Sequence, residues 1–335
     1  MDRVRLGMTD LRVSPICFGT WQLGGDWGGF DAHEATVAIR HALDLGVNIF
    51  DTAQAYGFGA SERLLGHALK PELRTRRDDL VIATKGGLRP DGNGGVVRDA
   101  SPDWLRIGVE RSLRALGVDH IDLYQLHWPD PSVPVEESAG ALQSLVDDGK
   151  LRHVGVSNFD VDQMAAFART RPVETLQPPY HLLRRDVEAD VLPYCAEHDI
   201  GVLVYGPLAH GLLTGAIDER TAFEDGDWRG ASPVFTGEAL HRNVEVVHRL
   251  ERLARDRGTT VSALAIAWTL ANPAVHVAIV GARRMSHVEA SLAAAGLQLD
   301  AADLAEIDAI AHGAVGVGGP TPEGTGPHRP REEST

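Results

Sequence analysis

Short apolar runs rich in Val, Ile and Leu recur along the chain, each closing on a polar or glycine-bearing turn and followed by a stretch with helical spacing. The runs are ICFG (16–19), NIFD (48–51), LVIATK (80–85), IDLYQLH (121–127), HVGVS (153–157), ETLQ (174–177), GVLVY (201–205) and VAIVG (277–281). Between and after them the spacing predicts helices over 33–45, 60–69, 102–116, 136–148, 160–170, 187–198, 242–257, 261–271, 286–295 and 301–312. Ser101 ahead of Pro102 is a start signal, and Gly46 and Gly117 are stop signals. Strands apolar on both faces and alternating with helices predict a parallel sheet. Eight such units close into a (β/α)8 TIM barrel.

Three segments stand outside this repeat. Residues 3–14, RVRLGMTDLRVS, predict an N-terminal β-hairpin turning at Gly7–Asp10 and covering the bottom of the barrel. Residues 206–241 form a long loop after the seventh strand, and connections of that length are usually functional. From Gly313 the chain is rich in Gly and Pro and ends REEST, so 313–335 is expected to be a flexible tail on a single domain of residues 1–312.

Composition narrows the function classes. The chain has 335 residues and is 43% hydrophobic, yet no run approaches the roughly 18 to 20 apolar residues of a membrane span. Residues 1–20 carry charges and no apolar core of a secretory signal, so a soluble, cytoplasmic protein is expected. A net charge of −15 argues against a nucleic-acid face. Cys17 and Cys195 stand alone in apolar surroundings, which offers neither a disulfide framework nor a metal cluster. An acidic surface favours solubility without specifying a partner chain or an oligomeric state.

The carboxyl ends of barrel strands are where chemistry is expected. Here they carry Asp51, Lys85, His127, Ser157 with Asn158, Gln177, Tyr205, and Gly281 with Arg283 and Arg284. Taken singly, Asp51 reads as a turn cap and His127 as a core histidine. Lys85 is harder to dismiss. The chain holds three lysines, and this one ends the apolar run LVIAT, where a cation needs a carboxylate partner. Asp51 ends the adjacent strand. A phenol has a pKa near 10, and an ammonium beside it favours the phenolate. Tyr56, five residues after Asp51, is thereby suited to exchange a proton with a carbonyl oxygen, which His127 could orient. Carbonyl reduction or alcohol oxidation needs a hydride that no side chain supplies. The chain lacks both a Rossmann fingerprint, since GFGASE (57–62) has Glu at the third glycine, and a P-loop.

CFGTWQLGG, DTAQAYGFGASERLLG, LVIATKGG, DLYQLHWPDP, HVGVSNF, VYGPLAHGLLTG and IVGARRMSHVEAS together resemble the aldo-keto reductase family across residues 3–312. The resemblance implies a catalytic tetrad of Asp51, Tyr56, Lys85 and His127. It also implies a nicotinamide site at Ser157, Asn158 and Gln177 with Tyr205 beneath the ring, and a pyrophosphate path along Gly206, Pro207, Leu208 and Gly211. Gly19, Thr20 and Trp21 are placed at the mouth near cofactor and substrate, with Asp51 also among the cofactor-binding residues, and Gly281, Arg283, Arg284 and His287 at the adenosine end. The two arginines suit a 2′-phosphate, so NADPH is the expected cofactor, with NADH as the other option. His287, Ala290, Ser291 and Gly206 depart from the commoner residues of the family. Trp21, Tyr56, Phe58, His127 and Trp128 are expected to shape the substrate pocket, together with Asp227, Trp228 and Arg229 of the long loop. The implied activity is reduction of an aldehyde or ketone without a metal. A sugar or cyclitol dehydrogenase, or a cofactor-sensing binding protein resembling channel β subunits, are the alternatives.

Overall fold

The computed structural model describes residues 1–24, 29–224 and 227–322. The chain opens on an antiparallel hairpin of β1 (Val4–Arg5) and β2 (Arg12–Val13). It continues through β3 (Ile16–Gly19), α1 (Ala32–Asp44), β4 (Ile49–Asp51), α2 (Ala60–Ala68), α3 (Lys70–Thr75) and β5 (Val81–Gly86). Then come β6 (Leu88–Pro90), β7 (Val96–Arg98), α4 (Pro102–Leu116), β8 (Ile121–Leu126), α5 (Val135–Asp147), β9 (Leu151–Ser157) and α6 (Val161–Ala168). The last part holds β10 (Thr175–Gln177), α7 (Val191–Glu197), β11 (Gly201–Tyr205), α8 (Gly237–Asp256), α9 (Val261–Leu270), β12 (Val277–Gly281), α10 (Met285–Leu292) and α11 (Ala301–Ala311).

Eight strands pair in parallel around a closed ring in the order β3, β4, β5, β8, β9, β10, β11, β12. The ring shuts where β12 meets β3, with Ala278 opposite Ile16 and Gly281 opposite Gly19. These are the eight apolar runs of the sequence, and the architecture is the expected (β/α)8 barrel.

Side chains alternate strictly along each strand, and this alternation aims the site. Cys17, Ile49, Val81, Ala83, Leu123, Leu203, Val277 and Ile279 form one buried cluster inside the barrel, closed below by Leu6, Leu11 and Val13 of the hairpin. Their strand neighbours Phe18, Phe50, Ile82, Tyr124, Val156, Leu176, Val204 and Val280 face outward under the helices. Carried to the strand ends, the inward parity falls on Asp51, Lys85, His127, Ser157, Gln177 and Tyr205. The register that buries Ile49 and Ala83 therefore also points six polar side chains into the mouth.

Several elements differ from expectation. A second hairpin, β6 with β7, stands between β5 and α4; the Asp91 carboxylate accepts from the backbone N–H of Asn93 and of Gly95 to close its turn. The helix expected over 187–198 breaks at Asp190 (φ −143°), leaving a 3-10 turn at Asp186–Glu188 ahead of α7. α8 starts at Gly237, five residues before the expected 242, and Leu240 already belongs to its buried face. Of the segment expected to be a tail, 323–335 lies outside the described residues. Residues 313–322 return to the barrel: Val317 is 1% exposed and donates its N–H to Leu183 O at 3.0 Å, and Val315 N–H donates to Asn243 Oδ1.

The hairpin is stapled to the barrel floor by charge. His153 on β9 lies between Asp10 Oδ1 (2.8 Å from Nε2) and Glu174 Oε1 (2.6 Å from Nδ1). Burial opposes charging the ring, but the bonds to Glu174 and Asp10 outweigh it and raise its pKa. The charged imidazolium therefore stabilises the fold fully below the unfolded value near 6.5, and this contribution fades as pH rises through the higher folded value. His153→Leu should cost about 1–3 kcal/mol at pH 6 and clearly less at pH 9. Urea denaturation at the two pH values measures the difference, and an equal loss at both would mean the ring is not held charged.

Candidate active site

Tyr56 owes its position to a turn that few residues can make. Gly57, Phe58 and Gly59 follow it with φ of 60°, 43° and 92°, three consecutive left-handed residues. The turn is tied to the barrel because Gln54 N–H donates to Lys85 O, and Gly59 N–H donates back to Gln54 O, each at 2.9 Å. The phenol is thereby folded over the end of β5. Phe58, at the tip, is turned to solvent and does not line the cavity described below.

Lys85 is 1% exposed and has three acceptors for its three N–H groups. Nζ donates to Asp51 Oδ2 at 2.6 Å, to Thr52 O at 2.9 Å and to Tyr56 Oη at 3.4 Å. Asp51, equally buried, uses its other oxygen to accept from Gln177 Nε2 at 3.0 Å. His127 packs edge-on against the Tyr56 ring, centroids 5.8 Å apart. Burial, reinforced by the Lys85 charge, holds the His127 pKa well below its usual value, so the ring is neutral at pH 7. Its Nδ1 is buried without a hydrogen-bond partner among the described residues, which leaves Nε2 as the nitrogen turned to the cavity.

A second polar group faces the tetrad. Ser157 Oγ donates to Gln177 O at 2.8 Å, Asn158 Nδ2 donates to His127 O and to Ser157 Oγ, and Tyr205 Oη donates to Asn158 Oδ1 at 2.9 Å. Asn158 makes these bonds from a left-handed backbone, φ 61°. Burial raises the Tyr205 phenol to about 12, so it is a neutral donor.

Beyond Tyr205 the chain turns through Gly206, and Ala209, His210 and Gly211 follow with φ of 47°, 55° and 99°. Within this turn Ala209 N–H donates to Gly206 O at 2.8 Å and Gly211 N–H to Leu208 O at 3.0 Å, which holds the segment against the cavity wall. Arg229 of the long loop crosses this path, donating through Nη2 to Asp227 Oδ2 at 2.6 Å and through Nη1 to His210 O at 3.0 Å. His210 is pressed edge-on to Trp21 and Trp228, and burial, with the Arg184 and Arg229 charges, lowers its pKa to about 3.

One cavity of about 410 Å³ connects all of this. Its wall includes Gly19, Thr20, Trp21, Asp51, Tyr56, His127, Trp128, Ser157, Asn158, Gln177, Tyr205, Gly206, Pro207, Leu208, Gly211, Gly281, Arg283 and His287. Lys85 sits behind Tyr56. Arg284 is elsewhere: adjacent residues on extended backbone point to opposite sides, and its Nε lies 3.6 Å from Glu34 Oε2 on the outer surface. Leu88 and Val96 of the second hairpin, His210, Thr214, Arg229 and the segment Pro320–Pro322 also line the cavity. The turn DGNGG between LRP and VVR was a readable hairpin signal for the first two. Nothing in a Gly- and Pro-rich stretch marks 320–322.

Residues 15–312 match the family described as Aldo/keto reductase family. The chain is 41% identical over 312 residues to the aldo-keto reductase YhdN of Bacillus subtilis, covering 92% of this chain and 93% of that one. It is 32% identical over 318 residues to the NADH-specific methylglyoxal reductase of Escherichia coli, covering 90% and 96%. Among solved structures, the glycerol dehydrogenase AKR11B4 from Gluconobacter oxydans superposes with a TM-score of 0.85 at 39% identity, covering 96% of this chain and 98% of that one.

Proposed function

The chain belongs to the aldo/keto reductase family, and from that premise we propose that it reduces an aldehyde or ketone to the alcohol with NADPH, Tyr56 supplying the proton. The observation that carries this reading is the contact of Lys85 Nζ with Asp51 Oδ2 and Tyr56 Oη, 2.6 and 3.4 Å, beside a neutral imidazole. A carbonyl oxygen seated between Tyr56 Oη and His127 Nε2 meets two donors as negative charge grows on it. Lys85 compensates the phenolate that remains after the proton has left, and Asp51 compensates Lys85. Trp21, stacked on Tyr56 at 6.4 Å, and Trp128 screen the oxygen from water.

The donor set fits a dinucleotide. In a chain of net charge −15, two guanidiniums, Arg229 and Arg283, line one cavity with His210 and Gly211 of the left-handed run. Ser157, Asn158 and Gln177 would hold the carboxamide, Tyr205 the ring face, and the 206–211 backbone with Arg229 the pyrophosphate. Arg283 and His287 would meet the adenosine end. The nicotinamide, when bound, supplies the hydride that the side chains lack.

Preference for NADPH rests on Arg283. Arg283→Ala should weaken NADPH about 10- to 100-fold and NADH only a few-fold, as loss of a charge-assisted bond to the 2′-phosphate requires. Arg284→Ala should change neither by more than a few-fold. Fluorescence titration of both cofactors decides: an equal loss for both on Arg283→Ala would remove the 2′-phosphate role. A panel of carbonyls and polyols assayed with both cofactors tests the reaction itself. The likeness to a glycerol dehydrogenase favours a second reading, polyol oxidation by the same groups in reverse. Tight cofactor binding with negligible turnover on every substrate would point instead to a sensor.

A further inference from the structure

Gln177 makes a bond that a cofactor contact does not require. It ends β10, 2% exposed, and Nε2 lies 3.0 Å from Asp51 Oδ1 at the end of β4. In the ring of eight strands β4 and β10 are four places apart in either direction, so this bond spans the full interior of the barrel. An ionised carboxylate accepts hydrogen bonds and donates none, which fixes the amide orientation: its NH2 faces Asp51 and Oε1 is turned away. Both Asp51 oxygens are thus engaged, Oδ2 by Lys85 and Oδ1 by Gln177.

This arrangement constrains Lys85. With one donor on each oxygen the carboxylate plane cannot swing, so Nζ is held on the side where Thr52 O and Tyr56 Oη complete its shell. The amide dipole also takes up part of the negative charge of Asp51, leaving more of the ammonium field uncompensated at the phenol. A second buried glutamine gives a natural control. Gln125 on β8 is the cross-strand partner of Lys85 and is fully buried, but neither of its amide atoms has a hydrogen-bond partner among the described residues.

We propose that Gln177 is a positioning residue for the proton donor: through Asp51 it fixes Lys85 against Tyr56 and helps make the phenol acidic. The inference rests on the reading of Tyr56 as the proton donor. It adds to Gln177 a role in the protein that exists before any cofactor binds.

Tyrosinate absorbance of the cofactor-free protein tests it. The chain has five tyrosines, and subtracting the Tyr56→Phe titration in each background isolates Tyr56. In Gln177→Met the Tyr56 ionisation should rise by about one pH unit. In Gln177→Glu it should rise further, because a second carboxylate is set against Asp51. Gln125→Met should leave it at the wild-type position. If the methionine variant does not fold, Gln177→Asn replaces it, since its amide is one methylene too short to reach Asp51. The pH profile of kcat/KM at saturating NADPH should move by the same amount. An unmoved ionisation in the Gln177 variants, even with weakened NADPH binding, overturns the proposal and leaves Gln177 as a cofactor contact alone. The titration needs no turnover, so failure of the proton-donor reading shows separately, as persisting activity of Tyr56→Phe.

Discussion

Tyr56→Phe is expected to lower kcat for carbonyl reduction by about 10³-fold or more while leaving NADPH affinity within a few-fold. The substitution removes one oxygen and little else. The ring keeps its stacking on Trp21 and its edge contact with His127. Lys85 loses its longest bond but retains Asp51 Oδ2 and Thr52 O, so the fold should not notice. Neutral His127 has one proton to offer and is placed to orient, so it is a poor substitute donor. Steady-state rates by nicotinamide absorbance and cofactor fluorescence give the two numbers. Residual activity within tenfold of wild type would mean that the proton comes from elsewhere.

Lys85→Met should damage stability and chemistry together. It strands the buried Asp51 carboxylate with Gln177 as its remaining side-chain donor, and breaking such a pair costs about 3–5 kcal/mol. Adding Asp51→Asn removes the uncompensated charge and should recover most of the stability at pH 7 without recovering turnover. Denaturation curves of the single and double variants test this. A single variant as stable as wild type would contradict the view of Lys85 and Asp51 as a mutually dependent buried pair.

The barrel was legible because its strands are apolar on both faces, and runs such as LVIAT and VAIV cannot be solvated on either side. The site was legible for a related reason. A lysine closing LVIAT or a histidine closing IDLYQL breaks the apolar rule at the one place where a barrel tolerates it, and period-two alternation decides which way it points. What stayed hidden depends on direction rather than composition. Arg283 and Arg284 look equivalent in sequence, yet one step along extended backbone sends the second to Glu34. Phe58 stands two residues from Tyr56, but its left-handed backbone carries it to the outside of the turn. The return of residues 313–322 rests on Val317 and a few backbone bonds in a stretch whose composition resembles a linker.

The order of the strands has a consequence for recombination. Asp51, Tyr56, Lys85 and His127 all lie between residues 51 and 127: Asp51 ends β4, Tyr56 stands in the turn after it, Lys85 is on β5 and His127 directly follows β8. The groups proposed to grip the cofactor from carboxamide to adenosine run from 157 to 287, on the last four strands of the ring and the segments that follow them. Proton handling and cofactor choice thus occupy separate halves of one chain, joined where β8 meets β9 and where β12 meets β3. A chimera carrying the second half of a relative with the opposite cofactor preference would inherit that preference while keeping its own acid. Such an exchange would have to preserve the bond from Gln177 to Asp51 at the mouth, together with Asn158 Nδ2 to His127 O and His153 to Asp10, which also join the two halves.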